Sequence, residues 1–464
     1  MSLRSVLIAA PGSDSGKTTI TCALLQALKD RGLDTVSFKC GPDYIDPLFH
    51  KRVLGVDSRN LDTFFAGKEG VWNTAAKLGN RYAVIEGVMG LYDGRSTDGI
   101  DGSGYEIAET LNAPIVLIVN ASGTGRTIIS IIKGMLLDDT EHLIKGVILN
   151  KISAGFYESL KPSLEKELSA MREDVKLLGC FPKNAGISIG SRHLGLMMPD
   201  EISDLQRMIS DAASILEENA DVDGIISIME DGKADQPIVN NKSSAVAGGV
   251  DDLTLAVAYD EAFCFYYADN FDILRENGVK LQFFSPIHDE KLPDNIDGIL
   301  LGGGYPENYL EQLSSNKSML ASIKEAINKD IPSLAECGGF MYLHNSITDT
   351  EGKTYDMAGV IDGECRYTGH LVRFGYMQIE SAKDLNNEAL LYKSLVGMKG
   401  HEFHYYDSTF NGNSYIAGKP GKDKKWDCIV TCNNGVWGFP HFYYRSNPEF
   451  IKAFTEKMKL HRQS

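Results

Sequence analysis

Short apolar runs alternate with longer stretches of helical periodicity through the first half of the chain. Residues 5–9, 83–86, 115–119 and 146–149 are runs dominated by apolar, often β-branched side chains, which predicts strands buried on both faces, as in a parallel sheet. Between them, segments such as ITCALLQALKDRG (20–32) space their apolar residues three and four apart, the pattern of an amphipathic helix. Strand and helix in alternation predict a doubly wound α/β layer whose ligands gather at the carboxyl ends of the strands.

The pattern lapses at residues 235–252, DQPIVNNKSSAVAGGVDD, which are small or polar and without period. This predicts a linker over 241–252 between a first domain at 1–240 and a second at 253–464. The alternation then restarts with LTLAVAYD, a helix over 267–277, KLQFFSP, DGILLGGG, a further helix and IPSLAECGGF. A second open, mostly parallel α/β domain is expected. From about residue 353 aromatic and β-type residues increase and turn signals occur at NGNS and KPGK, so extra strands are expected there.

With 464 residues, 43% hydrophobic and 23% charged, the chain can build two real cores and is not disordered. Its formal charge of −17 argues against a general grip on nucleic acid or an anionic membrane. Any anionic ligand must therefore be held by local donors. No apolar run approaches the ~20 residues of a membrane span, and the N-terminal strand leads into a glycine-rich loop rather than a cleavage site. The eight cysteines are scattered, without CxxC or zinc-type spacing, which fits reduced thiols in a cytoplasm.

Chemistry enters at Ala10-Pro11-Gly12-Ser13-Asp14-Ser15-Gly16-Lys17-Thr18-Thr19, between the first strand and the first helix. Glycines let backbone N–H groups close on phosphate oxygens, Lys17 reaches the outer phosphates and Thr18 can ligate Mg²⁺. The loop is a variant, because Pro11 stands where GxxxxGK[ST] has glycine and the glycine is at 12. A metal site needs an acid, and Glu86 ends the strand in YAVIEGVMGLYDG. SFKCGPDYIDPLFH brings Lys39, Asp43 and Asp46 to another strand end, where they could share metal, phosphate and substrate.

In the second half, SLAECGGF reads as strand, sharp turn and helix start, with Cys337 on the turn. A helix N-terminus and a nearby imidazole would lower its thiol toward the reactive thiolate. Upstream, Gly302, Gly303 and Gly304 end a strand and can aim N–H groups at an oxyanion, and Gly338 follows the cysteine. The base has three candidates: His401 and His404 in GHEFHYYD, and His441 in GVWGFPHFYY.

In this order, APGSDSGKTTI, FKCGPDYIDP and VIEGVMGLYDG, followed by LLGGGYPE and AECGGF, resemble the cobyrinate a,c-diamide synthase family. The resemblance covers essentially the whole chain. It implies a dethiobiotin synthetase-like P-loop domain fused to a class I-type glutamine amidotransferase domain. Gly12 to Thr19 and Lys39 would then hold ATP, and Thr18, Asp43, Asp46 and Glu86 would hold Mg²⁺. Tyr44, Asp46 and Arg192, the last in an SRHLGL segment similar to the family's, would face the substrate. The implied base is His441 beside Cys337, with Gly303, Gly304 and Gly338 at the glutamine site. Tyr443 stands where many class I members have glutamate, leaving the group that orients the imidazole open.

The implied reaction is amidation of the a and c carboxylates of cobyrinate with ATP and L-glutamine through acyl phosphates. The two sites would then communicate by a tunnel or by closure on substrate. Rivals are a nickel-sirohydrochlorin a,c-diamide synthase, the related cobyrate synthase, a P-loop ATPase switch, and a degenerate glutaminase that only binds a partner. Apolar helix faces are compatible with a homodimer as well as with a core.

Overall fold

The computed structural model describes residues 3–183, 191–192, 195–196, 205–232, 253–383, 393–432 and 434–463. They form two compact units, Met1–Asn241 and Lys242–Ser464. The expected linker over 241–252 lies outside the described residues.

In the first unit the strands are β1 (Arg4–Ala9), β2 (Thr35–Cys40), β3 (Ser58–Leu61), β4 (Tyr82–Glu86), β5 (Ile115–Asn120), β6 (Ile144–Ile152) and β7 (Lys176–Pro182). They make one parallel sheet in the order β3-β2-β4-β1-β5-β6-β7. The apolar runs read from the sequence are its central strands. Their side chains pack on both faces, and Leu7, Phe38, Ile85 and Leu117 belong to one buried cluster. Each such side chain contributes roughly 1.5–3 kcal/mol on burial.

Two helices shape the carboxyl edge of this sheet, α1 (Lys17–Asp30) after β1 and α2 (Ile45–Arg52) after β2. Both begin at that edge, so the loop of residues 10–16 and the segment 41–44 meet there. At the opposite edge, Asp139 anchors the start of β6. Its buried carboxylate accepts from Leu143 and Ile144 N–H at 2.8 Å each and pairs with Arg172 at 2.5 Å.

The second unit is built on a six-stranded sheet. Its members are β8 (Leu253–Ala258), β9 (Val279–Phe284), β10 (Gly298–Leu301), β11 (Ser333–Glu336), β12 (Val430–Cys432) and β13 (Gly435–Gly438). The order is β9-β8-β10-β11-β13-β12, parallel except for the edge strand β12. Of the strands expected beyond residue 353, β12 and β13 complete this sheet and the others belong to two further sheets. One of them holds β14 (Arg373–Ala382), β15 (Lys399–His404) and β16 (His441–Phe442), paired antiparallel.

Replacing Asp139 by alanine would leave the N–H groups of Leu143 and Ile144 without their acceptor and the buried Arg172 guanidinium with Asp174 as its remaining carboxylate. Asp139→Ala should cost about 3 kcal/mol of stability by urea denaturation, whereas Arg126→Ala at an exposed pair should stay within about 0.5 kcal/mol.

Candidate active sites

The phosphate-type loop is shaped by backbone that only small residues tolerate. Gly16 has φ 87°, and a Cβ there would stand 2.1 Å from the Asn150 side-chain nitrogen. Asn150 donates to the Ser15 carbonyl at 2.7 Å and Lys151 to the Asp14 carbonyl at 2.9 Å, so the end of β6 braces the loop from the side. Neither residue stands out in the sequence, although an Asn-Lys pair ending an apolar strand is a signal that could have found them. A Cβ on Gly12 would meet nothing within 4 Å, leaving open space there. Ser13 and Asp14 are exposed, Thr19 is half-buried, and the Ser15 hydroxyl donates to the Gly12 carbonyl at 3.0 Å. Lys17 folds back on the carbonyls of Gly12 and Met89 at 3.1 and 2.6 Å. Burial lowers its ammonium from the ordinary value.

Three strand and helix ends bring the expected charges together. Thr18 donates to Glu86 at 2.5 Å, while Lys39 lies 3.0 Å from Glu86 and also contacts the Asp46 carboxylate. Burial, then the Asp46 charge, pushes Glu86 up to about 7. Burial opposes the charge of Asp46 too, but Lys39 holds it below the usual carboxylate value. Asp43 has a different task, since its Oδ1 accepts from Ile45 and Asp46 N–H at 2.8 and 2.9 Å and so starts α2. Burial pushes its carboxyl up to about 6.

His50, missed in the sequence, is fully buried on α2 with Nδ1 3.0 Å from the Ser37 hydroxyl and Nε2 3.4 Å from Glu86. Tyr44 caps the same helix. Ser191–Arg192 pairs with Gly195–Leu196 as a short ribbon, and the Arg192 side chain lies outside the described residues.

Among the described residues no three histidine, cysteine or carboxylate groups form a metal cage. Magnesium seldom needs one, because it keeps waters and phosphate oxygens beside one or two protein ligands. The donor set fits that habit. Thr18 and Glu86 offer hard oxygens, and Glu86 Oε2 is buried without a hydrogen-bond partner, an acceptor that a cation could satisfy.

The second site is built on close approach. Cys337 sits between β11 and the short helix α3 (Gly338–Tyr342) at φ 47° and ψ −105°, a strained conformation on a sharp strand-to-helix turn, with the thiol buried. Its N–H donates to the Gly438 carbonyl at 2.9 Å, and Gly339 N–H to Gly302 at 2.9 Å. A Cβ on Gly303 would lie 2.1 Å from His441 Cε1, and one on Gly338 would lie 3.4 Å from Gly304 N. The glycine segment, the imidazole and the turn after Cys337 therefore converge.

Burial pulls His441 down to about 3, with His401 and His404 adding to it, so it is a neutral acceptor. His401 faces His441 across β15 and β16. His404 stacks on Phe439 at 4.0 Å, its Nδ1 2.7 Å from the Tyr406 carbonyl and its Nε2 3.4 Å from Glu402.

One expectation about this site changes. The Cys337 thiol is pushed up rather than lowered, first by burial and then by the Glu307 charge. A five-residue helix has little dipole to oppose that. Tyr443 does not replace the missing glutamate, because its hydroxyl turns away to Asp269 at 2.8 Å. The segment is held instead by Glu336, which accepts from the Tyr444 hydroxyl at 2.9 Å. Burial pushes Glu336 up to about 8.

Residues 6–196 match the family model described as CobQ/CobB/MinD/ParA nucleotide binding domain, and residues 254–447 match that of the CobB/CobQ-like glutamine amidotransferase domain. A cobyrinate a,c-diamide synthase from Clostridium tetani is 38% identical over 98% of this chain and 100% of its own. The chain belongs to the cobyrinate a,c-diamide synthase family. Proteins of the same name from Caldanaerobacter subterraneus and Picrophilus torridus are 38% and 37% identical, each over 98% of this chain and 98% and 99% of their own. The match to this family spans both sites. No described helix is long and apolar enough to cross a membrane.

Two measurements bear on these geometries. Asn150→Ala should raise the Kd for ATP about 3- to 10-fold by titration calorimetry, the worth of one loop-bracing hydrogen bond. Alkylation of Cys337 by iodoacetamide, followed by mass spectrometry, should climb through pH 9 and beyond, because a raised thiol yields its thiolate only at high pH. A plateau reached below pH 7 would contradict that.

Proposed function

We propose that the chain is a glutamine-hydrolysing amide ligase that converts the a and c side-chain carboxylates of cobyrinate to amides at the expense of ATP. The observation that carries this reading is the full-length likeness to cobyrinate a,c-diamide synthases, with 38% identity over 98% of the chain. The two constellations of side chains suit the two halves of the reaction.

A carboxylate is a poor electrophile until one oxygen becomes a leaving group. In the first unit a substrate carboxylate oxygen attacks the γ-phosphorus of ATP, ADP departs and an acyl phosphate forms. Lys17 leaves its loop carbonyls for the phosphates, and Lys39 spreads its charge over the transferring group. Mg²⁺, held by Thr18 and Glu86, supplies charge neutralisation on the phosphate oxygens when bound. Asp46 keeps Lys39 charged and in place, Asp43 sets the start of α2, and Tyr44 and Arg192 are read as substrate contacts.

In the second unit His441 accepts the Cys337 proton as sulfur attacks the γ-carboxamide of glutamine. The backbone of Gly303, Gly304 and Gly338 receives the oxyanion. The C–N bond breaks with return of the proton to nitrogen, and water then hydrolyses the thioester to glutamate. Ammonia attacks the acyl phosphate carbonyl and phosphate leaves. The eight cysteines form no disulfide, which suits a reducing cytoplasm.

The test offers cobyrinic acid, nickel-sirohydrochlorin or no macrocycle to the protein with ATP, Mg²⁺ and glutamine, reading phosphate release and product mass. Two successive amidations of cobyrinic acid are expected. Cys337→Ala should lose glutamine-driven amidation by about 10³-fold or more yet keep the ammonium-driven reaction, and Thr18→Ala should lose both. ATP turnover indifferent to either ring would overturn the reading.

A further inference from the structure

Glu307 stands one short turn beyond the glycines of the cysteine site. Gly303–Gly304 leads into the turn Pro306–Asn308, and the Pro306 ring lies 2.9 Å from where a Cβ on Gly338 would be. The turn carrying Glu307 is thus packed on the residue that follows the nucleophile. Apart from burial, the Glu307 carboxylate is the strongest influence on the Cys337 thiol, and it also acts on the Tyr406 hydroxyl.

Its own surroundings do little for it. Its carboxylate accepts from its own backbone N–H, and among the described residues no lysine, arginine or histidine pairs with it. Burial pushes it up to about 7. A half-buried acid without a cation is costly, and beside a thiol it opposes the ionisation that catalysis requires. The folded chain carries both costs unless a positive group arrives with the substrate.

L-Glutamine brings one in its α-ammonium, a few bonds from the carboxamide that Cys337 attacks. The geometry points to Glu307 as the receptor for the α-ammonium group of glutamine and hence as the residue that makes the site specific for an α-amino acid amide. This rests on the glutaminase reading of Cys337 and His441. Docking also neutralises the carboxylate that holds the thiol protonated, so the correct substrate eases proton transfer to His441. An amide lacking the α-ammonium enters without that help.

The experiment compares ammonia release from L-glutamine and from glutaramate, the same chain without its α-ammonium, by the full-length protein and by Glu307→Gln. In the wild type glutamine should lead by about 100-fold in kcat/KM, and in Glu307→Gln that ratio should collapse by about 10- to 100-fold through loss on glutamine alone. An equal fall on both amides would assign Glu307 to positioning or folding, and an unchanged ratio would remove it from recognition. Either result overturns the proposal. Wild-type protein that releases no ammonia from glutamine would instead overturn the glutaminase reading and this proposal with it.

Should the variant fail to fold by circular dichroism, the wild type decides alone. L-Glutamate should inhibit the glutaminase at least about 10-fold more strongly than glutarate, and equal inhibition would overturn the assignment.

Discussion

Lys39 and Glu86 stand side by side in the register of β2 and β4, both buried at the carboxyl edge of a parallel sheet. Two ions so far from water must be surrounded by partners or the strand ends would not close. That requirement organises the first unit's chemistry. Asp46 has to come from α2 to balance Lys39, Thr18 has to come from α1 to occupy one oxygen of Glu86, and His50 fills the remaining side as a neutral ring, with burial pulling it down to about 4. The phosphate loop is then fixed between this cluster and the brace from Asn150 and Lys151.

The second unit solves a different problem, which is to bring an imidazole, a glycine segment and the turn after a cysteine close together. It does so by subtraction. Where Gly303 and Gly338 lack side chains, the imidazole and the neighbouring loop move in, and the strained backbone at Cys337 is held by bonds to Gly438 on one side and the helix on the other. Glu336, the residue before Cys337, ties its strand to the segment that carries His441 through the Tyr444 hydroxyl.

The features legible in the sequence are those that local physics determines. Buried parallel strands are uninterrupted apolar runs, so β1, β4, β5 and β6 could be read within a few residues. Glycine-rich turns after strands announced both loops, and Lys39, Asp46, Glu86, Cys337 and His441 were recognisable because each ends or follows such a strand. His50, Asn150 and Glu336 were not, since their roles exist only through partners from distant elements. The state of the thiol was misread for the same reason. A helix start is visible in one dimension, but the burial of Cys337 and the charges of Glu307 and Glu402 that act on its thiol arise only on folding.

Tyr443 donates to Asp269 and leaves the imidazole of His441 without a carboxylate from the position two residues on. Burial keeps that imidazole neutral and the Cys337 thiol protonated, so the ion pair of thiolate and imidazolium is not stored. Peroxide and related oxidants attack thiolates far faster than thiols. Burial therefore acts as chemical shelter, holding Cys337 in the form least open to irreversible oxidation.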